Sequence, residues 1–241
     1  MRPLLVLWDV DYTLVAAGGV GSHLYRIALA ELYGLDLPGN LRSMAGRTDT
    51  SIALEVLAAA GVPEPASQVG LFQDRLAALT PGLAGMVREQ GRVLPGADAA
   101  LAALAAASSR PVVQSLLTGN IPALARMKLA ALGLADHLDL SVGGYGDVSE
   151  FRADLVPVAR RRAAERYQAD FAGRATVLVG DTPSDIEAAT QSAARSVGVA
   201  TGSFSMQQLA DAGADIVLPD LTDTSAVIRA VLGCRPSPPS G

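Results

Sequence analysis

Leu4-Leu5-Val6-Leu7-Trp8-Asp9-Val10-Asp11-Tyr12-Thr13-Leu14 is the stretch that decides the fold. Five consecutive apolar residues, a strand's length, end on two acids separated by one residue. A strand apolar at every position is buried on both faces, as in a parallel sheet covered by helices. Residues two apart in extended chain point the same way. Asp9 and Asp11 are therefore expected to face the crevice at the strand's carboxyl end, where open α/β sheets bind ligands. Carboxylates this close raise each other's pKa unless a cation compensates. Magnesium, which takes one or two carboxylates together with phosphate and water, is a natural compensation. Taken alone, Asp-x-Asp reads equally well as an acidic turn.

Outward from this stretch, apolar runs recur at Val112–Leu117, His137–Val142 (the weakest), Thr176–Val179, Ser196–Val199 and Ile216–Leu218. Helical patterns lie between them: Ile121–Leu132, Ala153–Tyr167 with Arg160, Arg161, Arg162 and Arg166 on its wet face, and Ser184–Ser192. In the last, a Ser184 cap with Glu187 three residues on forms a capping-box pattern. Strands alternating with helices predict an α/β fold with a parallel, Rossmann-like sheet. Residues 16 to 93 break the rhythm. No strand is evident there, and helices are expected at about 21–34, 49–60 and 67–89, bounded by Gly18-Gly19 and Leu94-Pro95-Gly96. The expected organisation is a core of residues 1–15 and 94–234, a helical insertion over 16–93, and a disordered Pro/Ser/Gly tail over 235–241.

Two further loops carry chemistry. Gly180-Asp181-Thr182-Pro183-Ser184-Asp185 follows the Thr176–Val179 run and places two more acids at a strand's carboxyl end, with Asp185 in the first turn of a helix. For Asp185 alone, dipole stabilisation of that helix explains an acid as well. Leu117-Thr118-Gly119-Asn120 follows the second run. The Thr118 hydroxyl and nearby N–H groups can hold phosphate oxygens, and Gly119 allows close backbone approach; a Thr or Asn helix cap is the equal alternative.

In combination, Asp9-x-Asp11-x-Thr13, Thr118, a basic residue and Gly180-Asp181-x-x-x-Asp185 resemble the haloacid dehalogenase-like (HAD) hydrolase superfamily. The resemblance spans the whole core in order, and the helical insertion sits where that family carries its cap. It implies Asp9 as nucleophile and metal ligand, and Asp11 as general acid/base with its carbonyl on the metal. It further implies Thr118, with Gly119 and Asn120, at the phosphoryl group, and Asp181 and Asp185 as ligands of Mg2+. The family's cation is expected to be Lys128, the chain's one lysine among 19 basic residues. A compact ammonium acts as a point charge between Asp9 and phosphate, which a guanidinium fork does less well; Arg152 is the fallback. Tyr12 stands where many members have glycine.

The implied activity is Mg2+-dependent hydrolysis of a small phosphate monoester through an aspartyl-phosphate, with a phosphoglycolate-like substrate favoured. Arg47, in Gly46-Arg47-Thr48-Asp49, would meet a second anionic group of that substrate, unless it forms a salt bridge at a helix start; His23 is a weaker candidate. The alternatives are a sugar phosphomutase, a haloacid dehalogenase, disfavoured because Asp11 suits an oxygen leaving group, and a phospho-accepting receiver domain, disfavoured by chain length.

Composition is globular: 241 residues, 50% hydrophobic, 18% charged, net charge −5. Nothing resembles a basic nucleic-acid footprint, and no apolar run has the length of a membrane helix. The expected partner is a small phosphorylated metabolite, with no nucleic acid and no membrane, for a monomer or homodimer. The single cysteine, Cys234, fits a reducing cytoplasm.

Overall fold

The computed structural model describes residues 2–107 and 110–233. Cys234 and the 235–241 tail lie outside the described residues. A six-stranded sheet is built from β1 (Leu4–Trp8), β4 (Val112–Thr118), β5 (Gly144–Tyr145), β6 (Thr176–Gly180), β7 (Arg195–Val199) and β8 (Ile216–Leu218), in the order β5-β4-β1-β6-β7-β8. Every pairing in it is parallel. The fold is α/β and Rossmann-like. β1 is central, with Trp8 in register with Leu116 of β4 on one side and Val179 of β6 on the other. The order therefore reverses at β1, and the carboxyl ends of β1, β4 and β6 lie side by side at the switch point where α/β sheets bind ligands.

The uninterrupted apolar reading of β1 has a direct cause: all five residues are buried. Leu4, Val6 and Trp8 pack on one face against α5 (Ala97–Ala105), α6 (Pro122–Ala131) and α10 (Thr224–Leu232). Leu5 and Leu7 pack on the other against α7 (Leu155–Tyr167) and α8 (Pro183–Gln191). A short helix, α9 (Met206–Asp211), precedes the edge strand β8.

The inserted segment contains α1 (Val20–Tyr33), α2 (Asp49–Ala59), α3 (Pro65–Leu79) and α4 (Ala84–Gln90). These helices close their own apolar cluster around Leu24, Tyr25, Val56, Leu57, Phe72 and Leu76, which also takes in Ile121 and Leu124 at the start of α6. Contrary to expectation, its ends are strands: β2 (Val15–Ala16) pairs antiparallel with β3 (Arg92–Val93), so chain entry and exit are tied together. The expected helix over 67–89 is broken by a 3₁₀ turn at Thr80–Leu83, because Pro81 lacks the N–H that an α-helix interior needs.

Three other expectations are corrected. The third strand is not His137–Val142 but the two residues Gly144–Tyr145. Gly144 is placed by close backbone approach, since a Cβ there would lie 2.6 Å from Leu155 O; apolar patterning carries no sign of such a constraint. Helix α8 is capped by Thr182 with Asp185 three residues on, two residues earlier than Ser184 and Glu187. On α7, Arg160 and Arg162 are half-buried and bonded rather than on the wet face: Arg160 donates to Ser192 O (2.8 Å) and Gly173 O (3.0 Å), and Arg162 to Gly143 O (2.6 Å).

Candidate active site

The sheet delivers the acids. Asp9 directly follows β1, its N–H still donating to Val179 O at 2.8 Å. Asp181 directly follows β6, and Asp185 sits in the first turn of α8. All three are buried, and each offers a carboxylate oxygen within 4.8 Å of the others. Asp185 Oδ2 accepts from Thr182 N (3.1 Å) and Oγ1 (2.7 Å), and Thr13 Oγ1 donates to Asp181 Oδ1 (3.2 Å). Two glycines make the room. A Cβ on Gly180 would lie 2.2 Å from Asp185 Cγ, and one on Gly202 would lie 1.8 Å from Asp181 Oδ2.

Both candidate cations are in the site, with divided partners. Arg152 Nη2 lies 2.7 Å from Asp9 Oδ1 and 2.7 Å from Asp185 Oδ1, and donates to Leu117 O at 2.9 Å. Lys128 Nζ lies 2.6 and 2.8 Å from the two Asp11 oxygens and 2.8 Å from Asn120 Oδ1. The expected contact of Lys128 with Asp9 is therefore replaced by one with Asp11, and the guanidinium takes Asp9. One guanidinium nitrogen, Nη2, bridges both carboxylates, while the buried Nε has no partner among the described residues.

Electrostatics set the two sides of the site apart. Burial pushes the Asp9 carboxyl up to about 6, against the opposing pull of Arg152. Burial, then the charges of Asp9 and Asp185, push Asp181 up to about 8. One guanidinium leaves this acidic trio under-compensated. Hard oxygen donors with uncompensated charge fit Mg2+, and Asp9, Asp181 and Asp185 are the side chains that could hold it. The Asp11 carboxylate faces Lys128 and Asn120 and lies outside the acidic trio, in keeping with an acid/base role and with its backbone carbonyl, not its side chain, being the expected metal ligand.

Thr118 is fully buried, and its Oγ1 accepts from Asn120 N (3.2 Å) and Nδ2 (2.8 Å). Asn120 Nδ2 also donates to Asp11 Oδ2 at 2.8 Å, so Asn120 joins Thr118, Asp11 and Lys128 in one network. Gly119 is required by a close approach, because a Cβ there would meet Arg47 O at 1.8 Å.

Arg47 itself takes the salt-bridge course. Its Nη1 lies 2.5 Å from Glu55 Oε2, and its Nη2 donates to Ser51 O at 3.0 Å. The guanidinium is thus held along α2. His23 lies half-buried on α1. Sequence reasoning passed over Asp49 as a helix-start residue. It is buried, accepts from Ile121 N (2.7 Å) and from the Tyr25 hydroxyl (2.8 Å), and its N–H donates to Gly119 O (2.7 Å). Only long-range packing reveals this, since an Asp after Thr48 is also what an ordinary helix start looks like.

A parallel sheet carrying acids at adjoining strand ends, with a helical layer above them, defines a class of α/β hydrolase. The profile of the haloacid dehalogenase-like hydrolases matches residues 6–190, and the chain belongs to that family. It is 27% identical over 252 residues to "Probable phosphatase IndB" of Dickeya dadantii (strain 3937), covering 100% of this chain and 99% of that one. Among solved structures, a hydrolase from Pseudomonas syringae superposes with a TM-score of 0.61 at 21% identity, over 93% of this chain and 97% of that one. A predicted phosphatase from Clostridium acetobutylicum does so with a TM-score of 0.66 at 16% identity, over 95% and 100%. These two likenesses are of fold. Among the described residues no helix is long and apolar enough to cross a membrane.

Proposed function

We propose that this protein is an Mg2+-dependent phosphatase that hydrolyses a phosphate monoester through an aspartyl-phosphate on Asp9. The observation that carries this reading is the gathering of Asp9, Asp181 and Asp185 at adjoining strand ends, with Asp11 facing them across one crevice. The family membership and the phosphatase description of the Dickeya relative support it.

In the first step an Asp9 oxygen attacks phosphorus, the P–O ester bond breaks, and Asp11 gives its proton to the departing alkoxide. In the second, the Asp11 carboxylate takes a proton from water as that water attacks phosphorus. The bond to Asp9 breaks and inorganic phosphate leaves. Asp11 must turn from Lys128 toward the ester oxygen to do this; its side chain is 36% exposed, which leaves it room. Arg152 orients Asp9, and Thr118 holds a phosphoryl oxygen. Bound Mg2+ would offset charge on the transferring group. The helical layer acts as a cap over the crevice.

Asp11 argues against a dehalogenase, which expels halide and needs no proton donor. A sugar phosphomutase keeps the same acid and differs in outcome. Family membership sets the receiver-domain alternative aside. The phosphoglycolate-like substrate rests on the family resemblance alone, and Arg47, the candidate for a second anion, is held by Glu55 and Ser51.

The test is release of inorganic phosphate from a panel of monoesters, with Mg2+ and with chelator, by the natural chain and by Asp9→Asn. Phosphate release needing Mg2+ and no bisphosphate activator is expected, with Asp9→Asn lowering kcat by about three orders of magnitude or more. Full activity in Asp9→Asn would overturn the assignment; transfer to a second hydroxyl without release would make it a mutase.

A further inference from the structure

The cavity above Asp9 holds about 660 Å³. Pockets of roughly 300–1,000 Å³ enclose ligands of drug size, so a phosphoryl group with a two-carbon acid would leave most of this one empty. Beyond the acids, Tyr12, Val20, Met44, Ile52 and Leu94 give it an apolar stretch, beside uncharged polar residues such as Ser22, Ser43, Thr201 and Ser203. Four cations line it. Lys128 is held by Asp11, Arg152 by Asp9 and Asp185, and Arg47 by Glu55. The fourth, Arg92, is exposed on β3 and enters no ion pair among the described residues.

Tyr12 is the unusual member of the wall. Its φ is +58°, a conformation that favours glycine and that bulky side chains rarely adopt. The backbone there is fixed: Tyr12 N–H donates to Val15 O at 2.7 Å, and Tyr12 O accepts from Thr201 Oγ1. The residue is 53% exposed, and its hydroxyl has no hydrogen-bond partner among the described residues. The strain is therefore not offset by core packing or by a hydrogen bond of the side chain. What the ring gains there is a place on the wall of the cavity, two residues beyond Val10 and three beyond Asp9.

We propose that Tyr12 is a specificity-determining residue, and that the leaving group is a bulky, uncharged alcohol whose flat apolar face lies against the Tyr12 ring. This deepens the phosphatase reading and rests on it. Aromatic faces reward flat apolar partners through stacking and burial, and the apolar stretch continues that surface. A second anion would find only Arg92 at the rim.

The test compares benzyl phosphate, ethyl phosphate and phosphoglycolate in the presence of Mg2+. The first two release alcohols of similar acidity, so their kcat/KM ratio reads binding rather than leaving-group chemistry. The natural chain is expected to favour benzyl over ethyl phosphate by about tenfold or more. Tyr12→Gly, which relieves the positive φ and so is expected to fold, should collapse that ratio mainly through KM, while Tyr12→Phe keeps it. An unchanged ratio in Tyr12→Gly overturns the inference and leaves the phosphatase reading standing. So does a natural preference for phosphoglycolate that Arg92→Ala abolishes. If no ester releases phosphate, both fail together.

Discussion

At the scale of single residues, the division of labour between two cations is the main finding. Lys128 is 97% removed from solvent, and its three donors meet both Asp11 oxygens and Asn120 Oδ1 (side-chain exposure 3%). Lys128→Met should lower kcat more than it raises KM, because Asp11 loses the group that aims it. The accompanying stability loss should be about 1–3 kcal/mol in urea unfolding, less than for a fully buried pair because Asp11 is 36% exposed. Lys128→Arg should not restore activity, since a guanidinium cannot replace a compact ammonium with three donors in that space. Equal kcat in Lys128→Met and the natural chain would show that Asp11 needs no such partner. The sequence singled out Lys128 by its solitude, but could not say that Asp11 rather than Asp9 would be its partner. That choice depends on where α6 lies relative to β1.

At the scale of elements, the start of α2 is fastened to two core loops. Asp49 N donates to Gly119 O (2.7 Å), Thr50 N to Gly146 O (2.9 Å) and Thr48 Oγ1 to Glu150 O (3.2 Å). Gly146 is as constrained as Gly119, with a Cβ there lying 1.8 Å from Gly119 O. Gly119→Ala should therefore push α2 off the phosphate loop, raising KM and costing about 1–3 kcal/mol by the overpacking mechanism. Gly70, inside α3 with nothing within 4 Å of a built Cβ, is the contrast. Gly70→Ala should gain about 0.5–1 kcal/mol from helix propensity alone. Thermal melts of the two variants should move in opposite directions; parallel losses would refute the packing argument.

At the scale of the molecule, the inserted helices and the sheet share a buried carboxylate. Burial pushes Asp49 up to about 6, while the Ile121 N–H, the Tyr25 hydroxyl and the Lys128 charge pull it down and Asp11 pushes it up. A carboxyl whose folded pKa exceeds its unfolded value, 3.8 here, binds protons in the native chain that the unfolded chain has lost. Its contribution to stability is present below about pH 4 and is lost as pH rises through about 6, amounting to about 3 kcal/mol. Asp49→Asn keeps an acceptor for Ile121 and cannot ionise. Its stability relative to the natural chain should therefore rise by about that amount between about pH 4 and pH 7, read from urea unfolding at each pH. A difference that stays flat would place no titrating charge at this junction.

The sequence by itself determined the largely buried strands, the acids at their ends and the helical interruption, because burial and backbone periodicity are written locally. Apolar runs marked β1, β4 and β6, and Asp9, Thr118 and Asp181 followed from where those runs stop. Only the tertiary structure decided which cation meets which acid, that Asp49 joins the inserted helices to the phosphate loop, and that Gly144–Tyr145 rather than residues 137–142 forms the strand beside β4. Each of these depends on distances between segments far apart in the chain, which side-chain character in one segment does not encode.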